Sequence, residues 1–249
     1  MPSQVPRNPL SEDITPEAAP FAASSFSNKS VRRAFIRKVY LLLAAQIIIT
    51  FTVVCVFTLV PVVRQGVHRY PWIYYLSYAV FLATYIALGC FVECRRRWPM
   101  NLICLAIFTL ALSYVTGCIA AYHNTEAVLI ALAMTVVLCL AITLFAIQTK
   151  CDFTMCSGLI FALTMVVFLT GLACMIVYFV SGRNRVLQAV YAGLVLVLFS
   201  ILLVYDTQQV IGGRKYEIGE EDYIFGTLQL YVDVVAILVA LIGLTSISD

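Results

Sequence analysis

The sequence predicts an all-α, polytopic membrane protein with seven transmembrane helices. Three observations lead there. Of its 249 residues 62% are hydrophobic and only 12% charged, whereas roughly a quarter are charged in soluble domains. Mean hydropathy is +0.97. The apolar residues also gather into stretches of the roughly 20 residues that a spanning helix needs, separated by short polar or proline-bearing connections.

Residues 1–30 lack a long apolar run and carry Pro2, Pro6, Pro9, Pro16 and Pro20, which favour extended, unpacked chain. They read as a flexible cytosolic tail ahead of a seven-span domain over 31–249. No apolar core follows the start, so a cleavable signal peptide is not expected. The basic collar "VRRAFIRKVY" then leads into spans at about 39–60, 72–93, 99–121, 126–148, 153–180, 186–210 and 222–244. Short connections predict antiparallel neighbours in a compact bundle. Pro61 and Pro71 punctuate the first loop, and "SGRNR" at 181–185 turns the chain before the sixth span. Trp72, Tyr74, Tyr75 and Trp98 stand where an interfacial aromatic belt is expected.

Orientation follows from the basic residues. One side holds Arg32, Arg33, Arg37, Lys38, Arg95, Arg96, Arg97, Lys150, Arg214 and Lys215; the other holds Arg64, Arg69, Arg183 and Arg185. The excess places the N-terminus in the cytosol and, after seven spans, the C-terminus across the membrane. A conventional seven-helix receptor has the opposite orientation. The net charge of +3 is too small, and too confined to loops, for nucleic-acid binding.

Enzyme signatures are missing: there is no GxSxG, HExxH or phosphate-binding loop. His68 and His123 stand alone, too few for the zinc site of a seven-span membrane hydrolase. Cys55, Cys90, Cys104, Cys118, Cys139 and Cys174 lie inside apolar runs, where a thiol behaves as a small hydrophobe. Cys94, Cys151 and Cys156 lie near span ends; no CxxC pair suggests zinc, and Cys151 and Cys156 hint only weakly at redox chemistry or palmitoylation. No cofactor is expected.

Two carboxylates break the apolar pattern. Asp206 ends "VLFSILLVYD" and Asp233 interrupts "LQLYVDVVAILVALIGL". An ionised acid at the centre of a spanning helix costs at least about 2.5–3.5 kcal/mol, and such residues are functional by default. Asp233 falls about 16 Å into the last span at 1.5 Å per residue, near the midplane, with Asp206 nearer the cytosolic end of the sixth. They are either structural, each bonded to a hydroxyl or backbone group, or a pair in a water-accessible crevice. A close pair shares one proton and senses pH, and when doubly ionised it offers oxygen ligands to a hard cation such as Ca²⁺. "ECRRRWP" at 93–99 supplies counter-charge: either it only fixes topology, or one of Arg95, Arg96 and Arg97 folds inward as a latch on the carboxylates. Glu220, Glu221 and Asp222 precede the last span, where they favour the positive end of the helix dipole; an acidic vestibule for cations is the alternative.

The segments "FAIQTKCDFT", "LVYDTQQVIGGRKYEIGEEDYIFGTLQLYVDVV" and "ECRRRWPMNLICLAIFTLALSYVTG" together resemble the Lifeguard branch of the transmembrane Bax inhibitor motif family, from about residue 31 onward. The resemblance implies seven helices with the last one central and the other six around it. It also implies a pH-sensitive calcium leak from intracellular stores, in the endoplasmic reticulum, Golgi or plasma membrane, and suppression of cell death. Asp206 and Asp233 match the family's di-aspartyl sensor by position, and Arg95, Arg96 and Arg97 lie near its latch arginine. Membrane lipid, calcium and other membrane proteins of apoptosis or calcium signalling are the implied partners. The short, mildly proline-rich tail departs from the long Pro/Gly/Tyr tails of several Lifeguard proteins. A non-conducting scaffold that modulates death receptors or ion channels is the rival reading, and it needs no protonatable pair.

Overall fold

A computed structural model describes residues 18–182 and 184–246, with side chains from residue 30 onward. The "PRNP" stretch and most of the expected tail lie outside the described residues, as do Arg183 and residues 247–249. The helices are α1 (Ala18–Leu59), α2 (Pro61–Arg69), α3 (Trp72–Cys90), α4 (Val92–Arg96), α5 (Met100–Ala121), α6 (Thr125–Gln148), α7 (Ser157–Ser181), α8 (Arg185–Ile211) and α9 (Tyr223–Thr245). Seven of these are long and apolar enough to cross a membrane, within Ser30–Leu59, α3, α5, α6, α7, α8 and Glu220–Thr245.

The expected spans differ from the helices mainly at their ends. The second stops at Cys90, because Phe91 is extended, with φ −100° and ψ 104°, and α4 starts a separate turn. The fifth starts at Ser157 rather than 153. Asp152 accepts a hydrogen bond from the Thr154 backbone N–H and winds Phe153–Met155 into a 3₁₀ turn first. The first loop folds as α2, with Pro61 in its first turn, where a missing N–H costs nothing.

α9 is the central helix. Its spanning segment is the most buried of the seven. It packs most extensively on α8, then on α6 and α1, then on α5. α7 is the exception to a ring of six: it packs on α8, buries no residue and stands outside the ring. A helix whose polar backbone is satisfied internally can leave most of its surface to lipid in this way.

The turn from α8 into α9 is held from α1. Gly212 and Gly213 take φ +77° and +74°, and Gly212, with ψ −174°, ends α8 in a conformation open essentially to glycine alone. The last carbonyls of α8 have no partner within the helix. Arg32 supplies one: Nε donates to Ile211 O at 3.2 Å, Nη2 to Gln209 O at 2.8 Å and Nη1 to Ile218 O at 2.7 Å. A residue counted above only as topological charge is thus the C-terminal cap of α8.

Candidate functional site

Asp206 of α8 and Asp233 of α9 are brought together. They are 5% and 3% exposed and interact directly through their carboxyl groups. Each carboxylate has its own depth along its helix. α8 ends five residues past Asp206, about 7.5 Å, while Asp233 lies ten residues into α9, about 15 Å. Side chains in contact share one depth, so the pair sits in the half of the bundle nearer the 212–222 loop.

Few groups attend the pair. Gln229, one turn before Asp233, donates from Nε2 to Asp206 Oδ1 at 3.3 Å. Asp233 Oδ2 and Gln229 Oε1 are buried with no hydrogen-bond partner. Among the described residues, Tyr85 of α3, Cys139 of α6 and Tyr205 of α8 lie close enough to interact with the pair electrostatically. Among the described residues, no Lys or Arg forms an ion pair with either aspartate. A buried acid without a cation is affordable only when neutral or sharing a proton.

The arginine cluster goes elsewhere. Arg95 Nε donates to Asp222 Oδ1 at 2.9 Å, and Arg96 contacts both oxygens of Asp222, at 2.9 and 2.8 Å, and Glu221 at 2.9 Å. Arg95 also donates from Nη1 to Gly89 O at 3.3 Å and lies over the Phe225 ring. Arg97 is exposed. Arg95 and Arg96 therefore meet the acids that open α9, not Asp206 or Asp233. The reason is reach: α4 ends beside the 3₁₀ turn Glu220–Asp222, about three helical turns from Asp233. Glu220, Glu221 and Asp222 do stand at the start of α9. Asp222 occupies the N-cap position of α9 but makes no side-chain cap bond, because its carboxylate is held by the two guanidiniums.

Two further constellations flank the pair. Gln208, two residues past Asp206, accepts from the Phe153 N–H at 2.8 Å and donates to Cys151 O at 2.9 Å, fixing the 149–156 loop to α8. On the other side of α9, Tyr231 enters a buried hydroxyl network with Thr50, Ser113 and Thr109, to which Gln46 also bonds. Sequence reasoning missed Gln229, Gln208 and Tyr231. The usable signal was spacing: Gln229 precedes Asp233 by four residues, hence shares its face.

The model of a protein family described as inhibitor of apoptosis-promoting Bax1 matches residues 32–249. The chain is 42% identical to protein lifeguard 3 of Mus musculus over 229 residues, covering 92% of this chain and 74% of that protein. It is 42% identical to protein lifeguard 3 of Homo sapiens over 217 residues, covering 87% and 70%. A Golgi anti-apoptotic protein of vaccinia virus (strain Lister) is 27% identical over 228 residues, 91% of each chain.

Proposed function

This chain belongs to the family of inhibitors of apoptosis-promoting Bax1, and on that premise we propose that it restrains cell death by leaking Ca²⁺ slowly from an endomembrane store, with Asp206 and Asp233 as the proton-operated gate. The reading is carried by one observation: two buried carboxyl groups in contact across the α8–α9 interface, without a basic partner and with an oxygen unsatisfied. With one proton between them the pair carries about one charge. Loss of that proton adds a second, and the repulsion acts across the most extensive contact of the central helix. The parted site presents oxygen ligands, which hard cations take. Two carboxylates and one amide oxygen fall well short of the six to eight oxygens of a resident Ca²⁺ site, which suits passage rather than storage. The Golgi in the viral relative's name supports a Golgi placement.

One observation favours a non-conducting scaffold instead: α7 presents an unburied apolar surface along its whole length, available to another membrane protein. Purified protein in liposomes loaded with a calcium dye, followed across a pH series, separates the two. Asp206→Asn and Asp233→Asn keep the shape and remove the charge, so each should abolish the pH dependence of the leak, and the double variant should be no worse. A normal pH profile in both single variants overturns the gate; no flux in the wild-type protein favours the scaffold.

A further inference from the structure

The ring around α9 is open on one side. α1 packs on α5 and α6, and α6 on α8, but among the described residues α8 has no extended packing with α3 or α5. A cleft of about 480 Å³ lies there, floored by α9. Its floor is the row Val232, Ala236, Val239 and Gly243, spaced along one face of the helix. These four are half-exposed on a helix whose intervening residues are almost all buried. Val115 and Ile119 of α5 form one wall, Tyr191 and Val195 of α8 the other.

One end of this apolar cleft is polar. His123, just past α5, and Gln188, in the first turn of α8, both line it. His123 Nδ1 is 2.8 Å from Ile119 O. A carbonyl can only accept, so Nδ1 carries the proton, and Nε2 of the neutral ring is a hydrogen-bond acceptor.

We infer that the cleft between α5 and α8 is a binding site for a long-chain fatty acid, its hydrocarbon lying on the Val232–Gly243 face of α9 and its carboxyl group at His123 and Gln188. The cleft lies between membrane-spanning helices, and its mostly apolar walls offer water few partners. The cleft, of about 480 Å³, has room for a hydrocarbon chain. The floor from Val232 to Gly243 spans eleven residues, about 16 Å, the scale of one such chain. The head is small and hydrogen-bonding rather than a phosphodiester, because His123 and Gln188 are the polar side chains at that end and, among the described residues, no Lys or Arg lines the cleft. Arg64, beside the same end, donates to Ala121 O and His123 O. The carboxyl group and His123 Nε2 share one proton in an O···H···N hydrogen bond, with the polar Gln188 side chain beside it. The site is separate from the calcium reading and is tested without ion flux.

The test is photo-labelling of the purified full chain with a diazirine analogue of palmitic acid, with labelled peptides mapped by mass spectrometry. Labels should concentrate on the α5 and α8 walls, above the level on lipid-facing α7, and unlabelled palmitic acid should compete better than its methyl ester. Ala236→Phe places a ring in the cleft. In Gly243→Leu the first added carbon meets Ala192 Cβ at an ordinary 3.6 Å, so the remainder of the side chain enters the same space. In whichever of these variants keeps the wild-type unfolding temperature, wall labelling should drop to the α7 level. His123→Ala should erase the advantage of the acid over the ester. Labelling spread evenly over lipid-facing helices, wall labelling undiminished in a folded filling variant, or displacement of the probe by cholesterol and not by palmitic acid each overturns the assignment.

Discussion

Replacing Tyr231 with Phe removes one hydroxyl from the middle of the bundle and leaves the ring. That ring is fully buried and meets Phe108 edge-on at 5.8 Å. The hydroxyl lies 2.6 Å from Thr50 Oγ1, 3.3 Å from Ser113 Oγ and 3.4 Å from Thr109 O. Thr50 donates its own proton to Gln46 O at 2.9 Å, so the short contact is Tyr231 donating to Thr50. Interhelical hydrogen bonds inside membranes are worth about 0.6 kcal/mol on average and about 1.7 at most. Only one short bond is lost, and Thr50 keeps Gln46 and Ser113, so Tyr231→Phe should cost about 1 kcal/mol. Tyr231→Ala also empties the ring's volume and should cost about 3–5 kcal/mol. In thermal unfolding of detergent-purified protein, 1 kcal/mol is about 2–4 °C for a chain of this size. A double-mutant cycle with Thr50→Val should return a coupling of about 0.6–1.7 kcal/mol. Strict additivity, or a Phe variant as unstable as the Ala variant, would refute the view that this hydroxyl fastens α9 to α1.

Gly213→Ala should cost about 1–2 kcal/mol, the ordinary penalty of a side chain at positive φ, since nothing lies within 4 Å of the added carbon. Gly212→Ala should cost clearly more in the same unfolding assay, because its Cβ would lie 2.6 Å from Arg32 Nη2 and displace the cap of α8. Asp152 is held below the usual carboxylate range, chiefly by the Thr154 hydroxyl and also by the Lys215 N–H. A depressed folded value stabilises above the unfolded value of about 3.9 and is lost as pH falls through the folded one. Protease cutting of the 149–156 loop should therefore rise only below about pH 4, and in Asp152→Asn it should lose that acid step. For orientation, Asn28-Lys29-Ser30 is a glycosylation sequon on the cytosolic side of the expected topology: Asn28 should stay unmodified in cells while a sequon appended after Asp249 is used, and a glycan on Asn28 would invert the topology.

The fold was legible because lipid simplifies the problem. With no water to satisfy the backbone, an apolar run of about 20 residues has one structural option, and counting finds it. Span ends were less legible, since they depend on side-chain bonds that periodicity does not carry: Asp152 winding the turn before α7, or Arg32 closing α8 across a separation of 179 residues. The outlying position of α7 was not legible either. A helix apolar on every side looks the same in sequence whether it faces protein or lipid, and only the packing partner distinguishes them.

The candidate site divides along the same line. An acid within an apolar run stands out by its transfer cost alone, so Asp206 and Asp233 can be chosen from sequence. Their contact cannot, because it depends on the register of α8 against α9, which the loop at 212–222 and its Arg32 clamp set. The arginines fail for the converse reason. A Lys or Arg outside the membrane carries no transfer penalty that names its partner, so proximity in the chain to several acids leaves the choice open. The structure pairs Arg95 and Arg96 with Asp222, in a contact 14–43% exposed at its three side chains. Such a pair is screened by salt and worth little on its own, whereas the aspartate pair is 3–5% exposed and screened far less. On the proposed gate, the two sites on α9 should therefore answer to different variables: ionic strength at the 220–222 turn, and proton activity at Asp206 and Asp233. A gate built on the buried pair should keep its pH response when salt is raised, and only the tether at the mouth should loosen.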